Sequence, residues 1–368
     1  MDPWYKITRE AEISTPALVI YPDRIEENIS RMIKIAGGSE RLRPHVKTHK
    51  ISGVVKLKIK QGITRFKCAT LAEAEMVAQC GGQDILLAMQ PVGPHIERFF
   101  RLQKTYPHSR FSTLVDTEII VEQIASMASS FNQETDLWLD INNGMNRTGI
   151  VPGKDALHLF MTISKIPLIK VRGLHVYDGH IHESDPAERR KICERDYEPV
   201  TSLIHSIQRS GLPVPEVVAG GTPTFPIHAD RKHTETSPGT CVLWDSGYSG
   251  TFPDLPFLHA AAVMTRVVSK PGRGLLCLDL GHKSIAAEMP HPRISLLNIA
   301  VNQYVSHNEE HLVIESPEAD QWQPGDVLYG IPRHICPTVP RYKFAFAVRN
   351  GIIENEWQID ARDRMISI

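Results

Sequence analysis

Asp136-Leu137-Trp138-Leu139-Asp140-Ile141 runs directly into Asn142-Asn143-Gly144-Met145-Asn146-Arg147-Thr148-Gly149, so a short apolar segment feeds a glycine-bounded loop that carries an arginine. Such a run, bounded by turn signals, reads as a buried strand. Comparable runs lie on both sides of it, at 17–20, 43–46, 65–69, 84–87, 112–115, 171–176 and 216–219. Amphipathic stretches with helical spacing, such as 23–36, 70–80, 117–130 and 186–210, fall between them. Eight strands alternating with helices predict an α/β fold, a closed (β/α)8 TIM barrel spanning 14–240.

Beyond Pro238 the texture changes. Strand-like runs at 263–269, 275–280, 311–314, 327–330 and 343–348 carry Gly or Pro punctuation and few helical intervals. They predict a C-terminal β domain over 241–368, with residues 1–13 packed on it.

The 368 residues contain 42 acidic and 41 basic side chains, a balance that gives no electrostatic case for nucleic acid or an anionic membrane surface. The first residues, Met1-Asp2-Pro3-Trp4-Tyr5-Lys6, lack a basic start followed by an apolar run, and no apolar stretch approaches the roughly 20 residues that span a bilayer. A cytoplasmic protein with a small-molecule partner is expected. Six widely spaced cysteines without a CxxC pair fit reduced thiols better than a disulfide framework.

In a parallel barrel the chemistry sits at the C-terminal ends of the strands. Lys47 occupies such an end within Arg43-Pro44-His45-Val46-Lys47-Thr48-His49-Lys50, where nearby His45, His49 and Lys50 would lower its pKa toward a nucleophilic amine. A solvated lysine in a basic loop has the same local sequence. Arg147 stands where it would donate to an anionic oxygen. Tyr177-Asp178-Gly179-His180-Ile181-His182 gathers titratable groups at the next strand end, with His175 just before it. Two turns, Gly220-Gly221-Thr222 and Pro238-Gly239-Thr240, offer backbone N–H groups and hydroxyls to a phosphate. His334-Ile335-Cys336 pairs imidazole and thiol on what reads as an extended segment, a combination suited to zinc and tolerable for other divalent ions, although a buried cysteine beside a histidine is also common.

Taken together, Ser14-Thr15-Pro16-Ala17, Pro44-His45-Val46-Lys47-Thr48-His49, Gly144-Met145-Asn146-Arg147-Thr148-Gly149, the two glycine turns and His334-Ile335-Cys336-Pro337-Thr338 resemble the fold-type III pyridoxal phosphate (PLP) enzymes. The resemblance is to the D-threonine aldolase and D-serine dehydratase group, related to the N-terminal domain of alanine racemase. It implies a homodimer that binds PLP and a divalent metal, whether manganese, zinc, magnesium or cobalt. Lys47 would carry the cofactor as a Schiff base, with His45 and Arg147 beside it as catalytic residues. Arg147 would approach the phenolic oxygen, Tyr177 would lie near the pyridine side, and Gly221, Thr222, Gly239 and Thr240 would hold the phosphate. His334 and Cys336 would bind the metal.

Asn143 and Cys241 depart from residues common in the group, which affects fine cofactor contacts. Cys336 matters more, because aldolases of the group commonly carry His-X-Asp and dehydratases His-X-Cys. The implied substrate is a D-3-hydroxy amino acid, cleaved to glycine and an aldehyde by an aldolase. The alternative is a D-serine or D-3-hydroxyaspartate dehydratase yielding a 2-oxo acid and ammonia. A racemase, or a non-catalytic PLP-binding protein that is usually a barrel alone, accounts for fewer of these features.

Overall fold

The computed structural model describes residues 3–368; Met1 and Asp2 of the predicted 1–13 segment lie outside the described residues. The chain divides into two compact units. One comprises the chain up to Ile29, with Thr48–Val54 and Thr240–Arg362; the other comprises Ser30–Lys47, Val55–Gly239 and Asp363–Ile368.

The second unit holds the parallel sheet. Its strands are Arg65–Cys68, Asp84–Leu87, Arg110–Val115, Thr135–Ile141, Ile169–Val176, Glu216–Ala219 and Thr234–Thr236, paired in that order. Residues 42–46 supply the remaining stave. Leu42 bridges Thr236 and His45 bridges Lys67, both in parallel, and Val46 donates its N–H to the Lys67 carbonyl at 2.9 Å. The ring of staves is thereby joined across its first and last strands.

The predicted first strand, Ala17–Ile20, does not belong to this sheet. It pairs antiparallel with Ala261–Gly272 and parallel with Phe344–Arg349 in the other unit. A four-residue apolar run buried on both faces carries no mark of which sheet it joins. The strand missed in its place is Thr234–Thr236, whose Thr-Glu-Thr has no apolar residue to signal it.

Helix starts explain the alternation. Thr70 caps Leu71–Gln79, its hydroxyl accepting from the Glu73 N–H, while the Glu73 carboxylate accepts from the Ala69 N–H at 2.6 Å. Asp185 caps Pro186–Arg209 in the same way, with proline in the first turn. Inside the barrel, Leu86, Leu114, Trp138 and Val218 form one buried cluster.

An ion-pair network occupies the strand starts. Arg43, fully buried, bonds Asp84 at 2.7 Å and Glu235 at 2.6 Å, and Arg172 bonds Asp84 at 2.7 Å and Glu216 at 2.9 Å. Both guanidinium groups lie against Trp138, at 5.7 and 4.9 Å from its ring centre. Burial pushes the Asp84 carboxyl up, but Arg43 and Arg172 outweigh it and hold it at about 2. Arg43→Ala removes the buried link between Asp84 and Glu235, leaving Asp84 to Arg172 and Glu235 to Arg65, and costs about 3 kcal/mol, read as a lower denaturation midpoint. Asp84 binds its proton more weakly folded than unfolded, so its contribution is complete above about pH 4 and fades as pH falls toward 2.

In the other unit, Ile7, Ile13, Ala17, Val19, Ala262, Met264, Tyr329 and Val348 share one buried core. Its sheet includes counterparts of all five predicted C-terminal runs: Ala261–Gly272, Leu275–Leu278, Leu312–Glu315, Val327–Pro332 and Phe344–Arg349. No helix among the described residues is long and apolar enough to cross a membrane.

Candidate active site

The strand tails of the barrel unit surround a cavity of about 430 Å³ lined by His45, Lys47, Lys67, Leu114, Asp116, Asp140, Arg147, His175 and Tyr177, among others. Lys47 ends its stave half-buried, with its backbone N–H directed at His45 Nδ1 at 3.3 Å. The Tyr177 ring is the centre of the group. Lys47 Nζ is 5.6 Å, Lys67 Nζ 5.2 Å and the Arg147 guanidinium carbon 4.9 Å from the ring centre. A Cβ on Gly179 would lie 2.4 Å from this ring, and one on Gly221 would lie 3.2 Å from it, so both positions stay bare to admit the tyrosine.

Arg147 is exposed at the end of a loop that Asn142 organises: its side-chain oxygen accepts from the N–H groups of Gly144 and Asn146 at 3.2 and 3.0 Å. The loop closes at Gly149, where φ is +94° and a Cβ would meet the Asn142 nitrogen at 2.7 Å.

Lys67 and Asp140 in this cavity escaped the sequence reading, which noted only His175, the partner of Asp140. Lys67 is a lone cation between buried Phe66 and Cys68. Asp140 Oδ1 and His175 Nδ1 are joined at 2.7 Å. Burial pushes the Asp140 carboxyl up, but hydrogen bonds from His175 and Thr148 outweigh this and lower it. Burial and the charge of Lys67 pull His175 down to about 4 against Asp140. The imidazole is therefore neutral. Since the carboxylate only accepts, the proton sits on Nδ1, and the buried Nε2 is left as an acceptor without a partner.

The two glycine turns meet: the Gly239 N–H donates to the Thr222 hydroxyl at 3.1 Å. The Gly221 N–H is taken by Thr224 Oγ1 at 3.1 Å, and that hydroxyl donates to Asp178 at 2.7 Å. The titratable cluster after Tyr177 separates, with His180 pairing Asp196 at 2.9 Å and Asp178 pairing His228 at 2.8 Å. Asp178, His228 and Cys193 are all buried and near enough to share a metal. Their bonding is already closed, because Arg231 donates to His228 Nδ1 at 3.2 Å, which leaves the proton on Nε2 facing Asp178. Burial and Asp178 push the Cys193 thiol up to about 12.

In the other unit, His334 and Cys336 lie just past the strand Val327–Pro332, in a bend rather than the extended segment expected. The bend is pinned by buried Asp245, which accepts from the Ile335 N–H at 3.0 Å, and by Thr338, which donates to the His334 carbonyl at 2.8 Å. Burial pulls the His334 imidazole down, but Cys336 and Glu288 outweigh it and raise it to about 9. Cys336 Sγ is 3.2 Å from the Thr48 hydroxyl and 3.5 Å from that of Thr240, and His334 Nδ1 meets Glu288 at 2.6 Å. A carboxylate on one imidazole nitrogen leaves Nε2 for a metal. Thr240, expected at the phosphate, thus has its hydroxyl beside Cys336. His49 and Lys50 also belong to this unit; the cations gathered with Lys47 at Tyr177 are Lys67 and Arg147.

Comparison with known proteins gives the same architecture. Residues 260–348 match the model of a putative serine dehydratase domain. The chain is 27% identical over 358 residues to a D-threonine aldolase of an Arthrobacter species, covering 96% of this chain and 93% of that protein. It is 28% identical over 240 residues to the D-threo-3-hydroxyaspartate dehydratase of Delftia sp., covering 63% and 62%. The crystal structure of D-threonine aldolase from Filomicrobium marinum superposes with a TM-score of 0.87 at 26% identity, over 98% of this chain and 99% of that one. Residues 20–246, well over half the chain, match the model of the alanine racemase N-terminal domain, and the chain belongs to that family.

Proposed function

We propose that this protein is a pyridoxal phosphate- and divalent-metal-dependent lyase that cleaves D-3-hydroxy amino acids, of the D-threonine type, to glycine and an aldehyde. The observation that carries this reading is the near full-length likeness, in sequence and in structure, to D-threonine aldolases.

The residues present suit the cofactor. A lysine amine, an arginine and an aromatic face converge on one cavity, the buried Nε2 of His175 lacks a partner there, and two glycine turns bonded to each other suit a phosphate. Lys47 would hold the cofactor covalently, Arg147 would donate to its phenolic oxygen, and Tyr177 would pack along its ring. His45 would orient the backbone at Lys47. Gly221, Thr222 and Gly239 would surround the phosphate, with Thr240 contributing backbone rather than its hydroxyl, which lies beside Cys336. The nitrogen and sulfur of His334 and Cys336, carried on one bend held by Asp245 and Thr338, suit a borderline-soft divalent ion. Bound there, pyridoxal phosphate supplies an electron sink for a bond broken at Cα, and the metal supplies a Lewis acid for the 3-hydroxyl. The protein's share is to hold that hydroxyl and the Cα–Cβ bond in fixed orientation and to accept the hydroxyl proton.

A second reading, a dehydratase acting on D-serine or D-3-hydroxyaspartate, is favoured by cysteine at position 336. There Lys47, once displaced by substrate, would take the Cα proton. The test is to incubate the protein with D-threonine and with D-serine, with and without EDTA, and to assay glycine, aldehyde and 2-oxo acid separately. Glycine and acetaldehyde from D-threonine, lost with EDTA, are expected; a 2-oxo acid as the sole product would select the dehydratase, and no product from either substrate would reject both. The reading includes the homodimer that the resemblance implies and the cytoplasmic location expected from the sequence, checked by light scattering and cell fractionation.

A further inference from the structure

We propose that Asp178 is a positioning residue of the phosphate site: through the Thr224 hydroxyl it fixes the turn at Gly221 relative to Tyr177, so that the ring face and the phosphate turn are held at one spacing. The inference deepens, and rests on, the reading of this cavity as a pyridoxal phosphate site.

Asp178 directly follows Tyr177 and is 2% exposed; its partners Thr224 and His228 are as deeply buried. Both carboxylate oxygens are committed. Oδ1 accepts from the Thr224 hydroxyl at 2.7 Å, while Oδ2 accepts from His228 Nε2 at 2.8 Å and lies 3.7 Å from the Cys193 thiol. Burial pushes the carboxyl up, but His228 and Thr224 outweigh it and lower it, so the group is ionised and only accepts. The single proton of the Thr224 hydroxyl is therefore directed at Asp178. Its oxygen is left as the acceptor for the Gly221 N–H, at 3.1 Å. From the other side, the Gly221 carbonyl accepts from the N–H groups of Thr224 and Phe225 at 3.2 and 2.9 Å.

Those two backbone bonds close the turn on itself; what the carboxylate adds is a link between two strand ends. Tyr177 follows the strand Ile169–Val176, and Gly221 follows Glu216–Ala219. The bond from Thr224 to Asp178 ties one to the other, and His228 lies against the turn, where a Cβ on Gly220 would be 2.9 Å from its ring. Such a supporting layer spares a ligand the cost of ordering its site on binding. The layer is itself anchored: Arg231 donates to His228 Nδ1 at 3.2 Å and to Glu194 at 2.7 Å, which fixes the His228 tautomer that faces Asp178. Asparagine at 178 cannot serve both partners, because its amide nitrogen would turn a donor toward Thr224 or His228, each of which already donates. The family resemblance assigns Asp178, Thr224 and His228 no role.

The test uses the full-length protein freed of cofactor and titrated by calorimetry with pyridoxal phosphate, with pyridoxal and with inorganic phosphate. Asp178→Asn is expected to weaken pyridoxal phosphate and inorganic phosphate about tenfold, the effect of one buried hydrogen bond, while pyridoxal changes by less than about twofold. Thr224→Val keeps the shape without the hydroxyl and is expected to show the same split; it decides the matter if Asp178→Asn does not fold. Thr224→Ser returns the hydroxyl and is expected to return the affinity for phosphate. Equal weakening of pyridoxal phosphate and pyridoxal in Thr224→Val, which a merely structural role would give, overturns the proposal, as does no weakening of either. Phosphate binding that falls in both variants, with no borohydride-reducible adduct at Lys47 in wild type, supports the positioning role and overturns the cofactor assignment. A wild type that binds none of the three overturns both.

Discussion

Lys47→Ala is expected to abolish the visible absorbance of bound pyridoxal phosphate and to lower turnover of D-threonine by at least about a thousandfold, because it removes the amine proposed to hold the cofactor's reactive carbon. The fold tolerates the change. Lys47 is half-buried at the end of a stave, its side chain is outside the Arg43–Asp84–Glu235 network, and His45 and Val46 keep their backbone bonds. The variant is thus expected to unfold at the wild-type midpoint while forming no borohydride-reducible adduct. Retention of such an adduct would remove Lys47 from its assigned role. The charged Lys67 and Arg147 and the Tyr177 ring persist in the variant, so weak non-covalent cofactor binding is expected to survive.

Cys336→Ala acts on the other half of the chemistry. The sulfur sits beside the hydroxyls of Thr48 and Thr240, while Glu288 holds the far side of His334. Removing it leaves His334 alone, and metal content after dialysis is expected to fall well below one per chain, with activity down by about a hundredfold, in line with the loss of an interaction on which Lewis-acid assistance depends. Pyridoxal phosphate absorbance should be unchanged. Cys336→Asp restores a ligand of the type common among aldolases of the group and is expected to recover metal binding. Unchanged metal stoichiometry in Cys336→Ala would exclude the sulfur as a ligand.

Periodicity made the barrel legible, and the reason is visible strand by strand. Thr135–Ile141 and Ile169–Val176 are apolar enough to stand out, and each ends in a loop whose glycines and polar residues announce a strand end. Ala17–Ile20 misled because burial on both faces erases the alternation that would distinguish one sheet from another. Thr234–Thr236 hid because its glutamate points into an ion-pair network that depends on Arg43, nearly 200 residues earlier. The site divides in the same way. Lys47, Arg147 and Tyr177 follow strands and were found by position. Lys67 and Asp140 lie within strands, where an isolated charge between apolar neighbours is a signal that strand-end reasoning passes over. Glu288 and Asp245 had no local signal at all, since their meaning comes only from the bend that carries His334 and Cys336.

Two amines beside one tyrosine make the most direct test a matter of location. Wild-type protein loaded with pyridoxal phosphate is reduced with borohydride, digested, and the labelled peptide sequenced. The label is predicted on Lys47, within the run from Arg43 to Lys50; a label on Lys67, or on neither, contradicts the account.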